Sequence, residues 1–249
     1  MELKNVIAER VNKKIYRDGN LAIKVFSNDF SKADILNEAC NQARVEDCGL
    51  HIPRIREVCK IDGKWAIATE FVEGKTLAQL MEENPDKMDE YLELFVDVQI
   101  QIHHQEADKL SSIRAKMTRK IKESGLDATT RYELQTRLES LAKTDALCHG
   151  DYNPTNVIIS PDGEAYILDW AHVTKGAAEA DAARTYMLFL LAKKDEIAEK
   201  YLKLFCAKSD TAMQTVKNWL PIVAASQSLK KIEGEQEMLL NWTQVVDFE

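Results

Sequence analysis

The stretch of residues 149–169, HGDYNPTNVIISPDGEAYILD, constrains the fold of this chain more than any other. It holds two short apolar runs on either side of a Ser-Pro-Asp-Gly turn, a pattern typical of a β-hairpin. Asp151 and Asn156 precede the first run, and Asp169 follows the second. Because the two open ends of a hairpin lie side by side, we expect these three oxygen-bearing side chains to converge. Such a group is suited to hold a proton acceptor next to a hard cation.

The bulk composition limits the kind of protein and its partners. Of the 249 residues, 45% are hydrophobic and 30% are charged, which is typical of a globular protein. The formal net charge of -8 argues against nucleic acid as the main partner and is compatible with a cationic small substrate. No apolar stretch approaches the roughly 18 residues that a membrane helix requires. We therefore predict neither a nucleic-acid nor a membrane partner.

The cysteines and the N-terminus indicate the compartment. The five cysteines are odd in number and include no C-x-x-C pair, which favours reduced, mostly buried thiols. The opening segment, MELKNVIAER, is charged from its second residue and lacks the pattern of a signal peptide. Both features predict a cytoplasmic protein, and neither indicates an oligomeric state.

The first seventy residues predict a small sheet with one helix. β-like runs occupy residues 5–9, 14–17, 21–26, 53–58 and 65–71, with Asp-Gly turns at 18–19 and 62–63. A helix follows the third run. Ser31 or Asn28 is expected to cap it, and Gly49 is expected to end it. It carries Glu38 on or near the face that approaches the sheet.

Lys24 stands in the third run between Ile23 and Val25, so its side chain faces the opposite side of the strand from theirs. The residues alone allow two interpretations of Lys24 and Glu38. One is a pair of surface charges on a small α+β domain. The other is a phosphate-positioning lysine that a helix glutamate holds in place.

From Gly74 onward the pattern becomes helical. A helix capped by Thr76 is expected through Glu83, and amphipathic spacing predicts further helices over 86–107, 109–123, 127–143, 179–192, 196–208, 210–230 and 233–246. Pro221 predicts a kink inside the segment 210–230. Basic side chains cluster in 109–123. A solvated helix face explains them better than a nucleic-acid patch, because acidic residues lie nearby.

The order of these residues resembles the aminoglycoside phosphotransferase and choline kinase family, small-molecule relatives of the protein kinases. HGDYNPTN fits the family pattern H-G-D-x-x-x-x-N at every defined position, and LDWAH resembles the family's I-D-W segment. Lys24, Glu38 and the run EFV at 70–72 stand upstream in the family's order. The resemblance implies an α+β, two-lobed protein-kinase-like fold. Residues 1–73 would form a small antiparallel sheet lobe with one helix, and residues 74–249 a mainly helical lobe.

The resemblance also implies a reaction, the transfer of the γ-phosphate of ATP, or of GTP, to a hydroxyl of a small acceptor with Mg2+ as cofactor. Asp151 would orient the acceptor hydroxyl and accept its proton, and Asn156 and Asp169 would bind magnesium. Lys24 would hold the α- and β-phosphates, and Glu38 would pair with Lys24. The remaining implied positions are Thr69, Glu70 and Val72 around the adenine, and His149 and Asp181 as structural supports of the loop.

The nature of the acceptor stays open at this point. The acidic residues Glu233, Glu235 and Glu237 agree with a cationic acceptor, and they agree equally with the start of a solvated helix.

One departure from the protein kinases leaves alternatives open. The stretch AERVNKKIY, residues 8–16, stands where those enzymes carry a glycine-rich loop, and it has no glycine. Asn12, Lys13 and Lys14 would then contact phosphate instead, or the loop would be mobile without nucleotide. This motivates a second hypothesis, a catalytically silent nucleotide-binding regulator of the same fold. A third, a metal-dependent hydrolase built on His149, Asp151 and Asp169, lacks a second histidine or carboxylate motif.

Overall fold

The computed structural model describes residues 3–10, 12–107 and 109–244. They form two compact units. The first contains the described residues within 1–91, 107–109 and 154–173, and the second contains those within 92–106, 110–153 and 174–249. Val11 in the glycine-free stretch and the last two residues of the predicted helix 233–246 lie outside the described residues. The predicted domain boundary after residue 73 stays a prediction.

A five-stranded antiparallel sheet forms much of the first unit. Its spatial order is β1-β2-β3-β5-β4. The strands are β1 (Asn5–Arg10), β2 (Lys13–Asp18), β3 (Leu21–Phe26), β4 (Ile55–Ile61) and β5 (Lys64–Glu70). Asp62 and Gly63 both have positive φ, at 50° and 78°, as the predicted tight turn between two antiparallel strands requires. The five predicted runs therefore form the predicted sheet.

Helix α1 (Lys32–Val45) packs on one face of this sheet. Ser31 caps it, since the Ser31 side chain accepts a hydrogen bond from the Asp34 amide. Buried apolar side chains of the helix and sheet meet on that face; they are Phe26, Ile35, Ala39 and Ile67. The prediction that Gly49 ends the helix is wrong. The helix stops at Val45, and the carboxylate of Glu46 turns to accept a 2.7 Å hydrogen bond from the Ile55 amide.

The predicted hairpin is confirmed. Strands β8 (Val157–Ile159) and β9 (Ala165–Ile167) pair in antiparallel fashion, and the short strand β6 (Lys75–Thr76) extends them to a three-stranded sheet. Gly74, just before β6, has φ of 140°, and a Cβ there would lie 2.2 Å from the Ile159 carbonyl oxygen. Only glycine fits this approach of two backbones. Helix α2 (Leu77–Glu83) then begins at the predicted Thr76 cap.

Helices form most of the second unit. In chain order they are α3 (Met88–His103, whose first turn belongs to the first unit), α4 (Ile113–Glu123), α5 (Ala128–Ser140), α6 (Ala178–Leu191), α7 (Asp195–Ser209), α8 (Met213–Lys217), α9 (Leu220–Ser228) and α10 (Gln236–Thr243). Two short strands, β7 (Ala146–Cys148) and β10 (Thr174–Gly176), pair beside them. Outside 210–230, the helices predicted on both sides of the hairpin are thus confirmed in position, although most ends lie a few residues inside the predicted ranges.

The prediction of one kinked helix over 210–230 is wrong. The segment forms two helices, α8 and α9, and Pro221 lies in the first turn of α9. Proline is well accommodated at a helix start, because the amide hydrogen that it lacks has no intrahelical acceptor there.

Aromatic side chains fill the interior of the second unit. The ring of Phe95 stacks on that of Tyr152, with centroids 4.3 Å apart, and Tyr201 and Phe205 continue the cluster. Trp219 is buried as well. This core joins α3, α7 and the loop after β7.

All five cysteines are free thiols. The expectation that most of them are buried is wrong, since only Cys148 and Cys206 are buried and Cys40 is exposed. Among the residues that the structure describes, no helix combines the length and the apolar character needed to cross a membrane.

Candidate active site

A cavity of about 360 Å³ lies within the first unit, between the five-stranded sheet, α1 and the hairpin. All seven residues that the sequence assigned to nucleotide and metal line it; they are Lys24, Glu38, Thr69, Glu70, Val72, Asn156 and Asp169. The sheet, the helix and the hairpin each contribute part of this set, so the folding of the first unit brings together residues far apart in sequence.

Lys24 lies between two carboxylates at this cavity. Its Nζ is 2.7 Å from Oε1 of Glu38 and 3.3 Å from Oδ1 of Asp169. Burial disfavours the charged ammonium, but the negative charges of Asp169 and Glu38 outweigh burial and raise the pKa of Lys24. The lysine is therefore a fixed positive charge, held in place from two sides.

Lys13, at the start of β2, brings a second cation to the same carboxylates. Its Nζ lies 4.0 Å from Oε2 of Glu38 and 3.8 Å from Oδ2 of Asp169. The sequence indicated Asn12, Lys13 and Lys14 as candidate phosphate contacts in the glycine-free stretch, and of these Lys13 lines the cavity. Lys14 instead pairs with Glu9 at 2.6 Å. Alternation along the strand explains the difference, because neighbouring side chains point to opposite faces.

Asn156 and Asp169 meet at the open end of the hairpin, as expected of two residues that flank paired strands. The amide of Leu168 donates a 2.8 Å hydrogen bond to the carbonyl of Asn156. Asp169 has a left-handed backbone with φ of 61°, which is rare for a residue with a side chain. Strain of this kind is common at functional sites.

The donor chemistry at Asn156 and Asp169 suits magnesium. An amide oxygen and a carboxylate are hard ligands, and Mg2+ is usually held by one or two protein groups together with phosphate and water oxygens. Within the described residues, no three His, Cys, Asp or Glu side chains form a group that could hold a metal by themselves. The residues therefore fit a nucleotide-bound magnesium better than an all-protein metal centre.

The segment after β5 forms the remaining wall. The carboxylate of Glu70 accepts hydrogen bonds from the Arg54 amide, at 3.1 Å, and from the guanidinium of Arg56. The amide of Phe71 donates to the Asn20 carbonyl at 2.8 Å, and the guanidinium of Arg17 stacks over the Phe71 ring at 4.0 Å. The carboxylate of Glu70 is thus occupied by Arg54, just before β4, and by Arg56 on β4.

Asp181 fastens the loop 149–153 in the second unit. Its carboxylate accepts hydrogen bonds from the amides of His149, at 3.2 Å, and Gly150, at 2.7 Å, and lies 3.1 Å from Nε2 of His103. Burial works against ionisation, but the hydrogen bond to His103, the electrostatic effect of the His103 and His149 imidazoles and the Gly150 amide together lower the pKa of Asp181. The buried group is therefore a carboxylate. Gly150 allows the turn, with φ of 80°.

His149 and Tyr152 shape the same loop from within. His149 is fully buried, and its Nδ1 accepts a 3.2 Å hydrogen bond from the Asp151 amide. Tyr152 donates from its hydroxyl to the Phe95 carbonyl at 2.8 Å, while Thr185 donates to the Tyr152 carbonyl at 2.9 Å. The side chain of Asp151 in this loop is 23% exposed.

Arg184 contacts Asp151 and was missed by the sequence analysis. Its Nη2 donates a 2.7 Å hydrogen bond to Oδ1 of Asp151. Arg184 lies three residues after Asp181 on α6, and residues at that spacing share one face of a helix. The position of Asp181 was therefore the signal that could have identified Arg184.

Comparison with solved structures defines the class of fold. Aminoglycoside phosphotransferase APH(4)-Ia aligns with a TM-score of 0.69 and 13% identity, over 96% of this chain and 89% of that chain. A thermostable mutant of it, in ternary complex with AMP-PNP and hygromycin B, aligns with a TM-score of 0.69 and 15% identity, over 96% and 90%. Choline kinase LicA from Streptococcus pneumoniae gives 0.66 and 15%, over 99% and 94%. The predicted α+β, kinase-like fold class is confirmed.

The family follows from the sequence itself. No curated protein sequence matches the chain significantly. The family model described as the phosphotransferase enzyme family matches residues 11–218, and the chain belongs to that family. The predicted resemblance is thereby confirmed, and the general activity class is that of a phosphotransferase.

Proposed function

We propose that this protein transfers the γ-phosphate of ATP to a hydroxyl group of a small molecule, with GTP as a candidate second donor. The observation that carries the proposal is the cavity of the first unit, in which two lysines, two carboxylates and one asparagine surround a space beside the β5 segment. Phosphoryl transfer depends on positioning and on charge neutralisation, and this set of side chains supplies both.

The two lysines would bind the phosphates of the nucleotide. The Lys24 ammonium donates hydrogen bonds to Glu38 and Asp169, which hold it in place and occupy two of its three N–H donors. Lys13 would supply the positive charge that a glycine-rich loop otherwise offers through backbone amides. The absence of glycine from residues 8–16 is then compensated by a side chain, and this favours an active enzyme over a silent regulator.

Asn156 and Asp169 would hold Mg2+, which would neutralise negative charge on the phosphates of the nucleotide. The adenine would lie against Thr69 and the segment that follows. The main chain of Glu70 and Val72 would recognise the base, since the Glu70 carboxylate is engaged with Arg54 and Arg56.

Asp151 would act as the base. The acceptor oxygen would form a bond to the γ-phosphorus as the bond from that phosphorus to the β,γ-bridging oxygen breaks. The hydroxyl proton would pass to the carboxylate of Asp151, and ADP would leave with the electron pair of the broken bond. Asp181 and His149 would keep the loop in position, and Arg184 would hold the orientation of the Asp151 carboxylate.

Acceptor-dependent release of ADP tests the proposal. The protein is incubated with magnesium and ATP or GTP and with a panel of hydroxylated small molecules, and a phosphorylated product is sought by mass spectrometry. Asp151→Asn should lower turnover by roughly 10²–10⁴-fold, the range for loss of a general base. It should leave nucleotide affinity, measured by calorimetry, within a factor of two or so of the wild type. Nucleotide binding without turnover on any acceptor would favour the regulator instead.

A further inference from the structure

The guanidinium of Arg184 is buried, and its hydrogen bonds within the described part of the chain do not satisfy all of its N–H donors. Its side chain is 9% exposed, and it donates to Asp151 at 2.7 Å and to Oε1 of Gln227 at 3.3 Å. Its Nε is buried and has no hydrogen-bond partner among the described residues. A buried guanidinium N–H without an acceptor costs free energy, so an acceptor atom of a ligand would find a prepared donor here.

Three further cations belong to the elements around Arg184. Lys116 and Lys120 lie one turn apart on α4, and Lys230 follows the end of α9. Helix α9 packs against both α4 and α6, and α6 carries Arg184. Like charges at this spacing on one helix repel each other, and so do charges on packed helices. An anionic ligand bound among these cations would offset this repulsion.

Burial and the charge of Arg184 both act on the ionisation of Lys116 and Lys230. Burial, the charge of Arg184 and the charge of Lys120 lower the pKa of Lys116 to about 8, although Asp181 and Asp151 oppose the shift. Burial and Arg184 also lower the pKa of Lys230, against Asp151 and Glu235. For both lysines, burial is the largest cause of the shift, and the positive charge of Arg184 acts in the same direction.

The acidic groups of this cluster already accept hydrogen bonds. Asp151 accepts from Arg184, and Asp181 accepts from the loop amides. Glu235, which the sequence offered as a candidate for attracting a cation, accepts from Nε2 of Gln227 at 2.9 Å. A cationic acceptor would have to compete with these donors and would meet the repulsion of the surrounding lysines.

Building on the proposed function, we propose that the hydroxyl acceptor carries an anionic group, a carboxylate or a phosphate, which Arg184, Lys116 and Lys230 bind beside Asp151. The planar guanidinium suits either oxyanion, and the lysines add charge without geometric demand. The hydroxyl to be phosphorylated is then held next to the carboxylate that accepts its proton. The proposed acceptor is therefore anionic, whereas the net charge of the whole chain was compatible with a cationic one.

Anion binding tests this inference without turnover. The full-length protein is titrated at pH 7 with inorganic phosphate and, separately, with malonate, while magnesium and AMP-PNP are present in excess to occupy the nucleotide site. We expect binding that Lys116→Gln and Lys230→Gln each weaken about tenfold, or about 1.4 kcal/mol. Lys203→Gln on α7, an exposed lysine of the same unit, is the matched control and should bind like the wild type. The proposal is overturned if neither anion binds, or if the wild type and all three variants bind equally.

Turnover provides the second arm and separates the inference from the proposed function. Hydroxy acids and sugar phosphates are compared with amino alcohols and neutral polyols at equal concentration. The inference predicts higher kcat/KM for the anionic acceptors and a KM that rises in Lys116→Gln more than kcat falls. Efficient turnover of a cationic acceptor, with a KM that Lys116→Gln leaves unchanged, would contradict it while supporting the kinase. Absence of turnover on every acceptor would contradict the proposed kinase activity. The anion titration would still show whether Arg184, Lys116 and Lys230 bind an anion.

Discussion

The ammonium of Lys24 lies 2.7 Å from Glu38 and 3.3 Å from Asp169, so one lysine joins strand β3, helix α1 and the end of the hairpin. The contact places a cation from the sheet against a carboxylate that follows the hairpin. Both partners hold the lysine in its charged form across the physiological pH range, because they raise its pKa above the ordinary value.

Replacing Lys24 should therefore affect activity and stability together. In Lys24→Met we expect turnover to fall on the order of 10²–10³-fold, the usual cost of a lost charge-stabilising donor. We also expect lower stability, since Glu38 and Asp169 would face each other without this cation. Steady-state kinetics and urea unfolding measure the two effects. Lys14→Met, on the neighbouring strand but paired with Glu9, is the control and should change neither. Wild-type turnover in Lys24→Met would contradict the assigned role.

Lys13 should contribute to nucleotide affinity more than to the chemical step. In Lys13→Gln we expect the KM for ATP to rise about tenfold, in line with the loss of one charge-assisted contact, and kcat to change little. Calorimetric titration with magnesium and AMP-PNP should show the same loss. Lys14→Gln again serves as control. Unchanged affinity in Lys13→Gln would mean that the glycine-free loop binds phosphate by another route, or not at all.

Asp181 should stabilise the loop and give the protein an acid-sensitive step. Because its folded-state pKa is lowered, its contribution to the free energy of unfolding is present above the unfolded value near 3.8 and is lost as pH falls through the folded value. Asp181→Ala should cost about 3 kcal/mol at pH 7, or roughly 6–12 °C in melting temperature, by unpairing His103 and two amides. Urea unfolding from pH 7 to pH 3 checks both the size and the pH dependence.

The control for this prediction is Asp195→Ala, at the first turn of α7 and exposed. It should lower the melting temperature by no more than about 4 °C, since an exposed helix-start carboxylate contributes only about 0.3–1 kcal/mol. An Asp181→Ala protein that melts like this control would show that the loop is held by other contacts.

Lys116 should destabilise the folded protein at neutral pH. A lysine whose folded-state pKa is about 8 is disfavoured in its charged form by folding, so Lys116→Gln should raise the free energy of unfolding at pH 7, by roughly 1–2 kcal/mol after screening. The gain should shrink as pH rises from 8 and vanish above about 10.5, where both states of the wild type have lost the proton. Urea unfolding at pH 7 and pH 10.5 measures this. An equal effect at both values would exclude an electrostatic origin.

Local signals predicted much of the fold. The Ser31 and Thr76 caps, the Asp-Gly turns and the Pro-Asp-Gly hairpin depend on a few adjacent residues, and the structure has them where the sequence indicates. Two exceptions involve residues beyond the immediate neighbours. Helix α1 ends before Gly49, and the Glu46 side chain that follows it accepts a hydrogen bond from the Ile55 amide. Pro221 lies in the first turn of α9 and not inside a longer helix.

The candidate site also contains residues that the sequence could indicate and residues that only the fold brings together. Residues tied to a motif, such as Asp169 and Asn156, could be named from the sequence. Arg184 could not, because its contact with Asp151 depends on how the fold brings helix α6 to the loop. Lys116 belongs to the basic cluster in 109–123 that the sequence indicated, but its proposed role depends on the packing of α9 against α4 and α6. Lys13 stood between the two cases, since the sequence offered three polar residues and the direction of the strand selected one.

Asp181 and Arg184 lie one turn apart on α6 and contact three consecutive residues, His149, Gly150 and Asp151. Helix α6 is therefore attached to this loop both at the backbone and at the Asp151 side chain. A displacement of this 14-residue helix would move both attachments together. The positioning of the base proposed above would then depend on helix α6 as well as on the short loop.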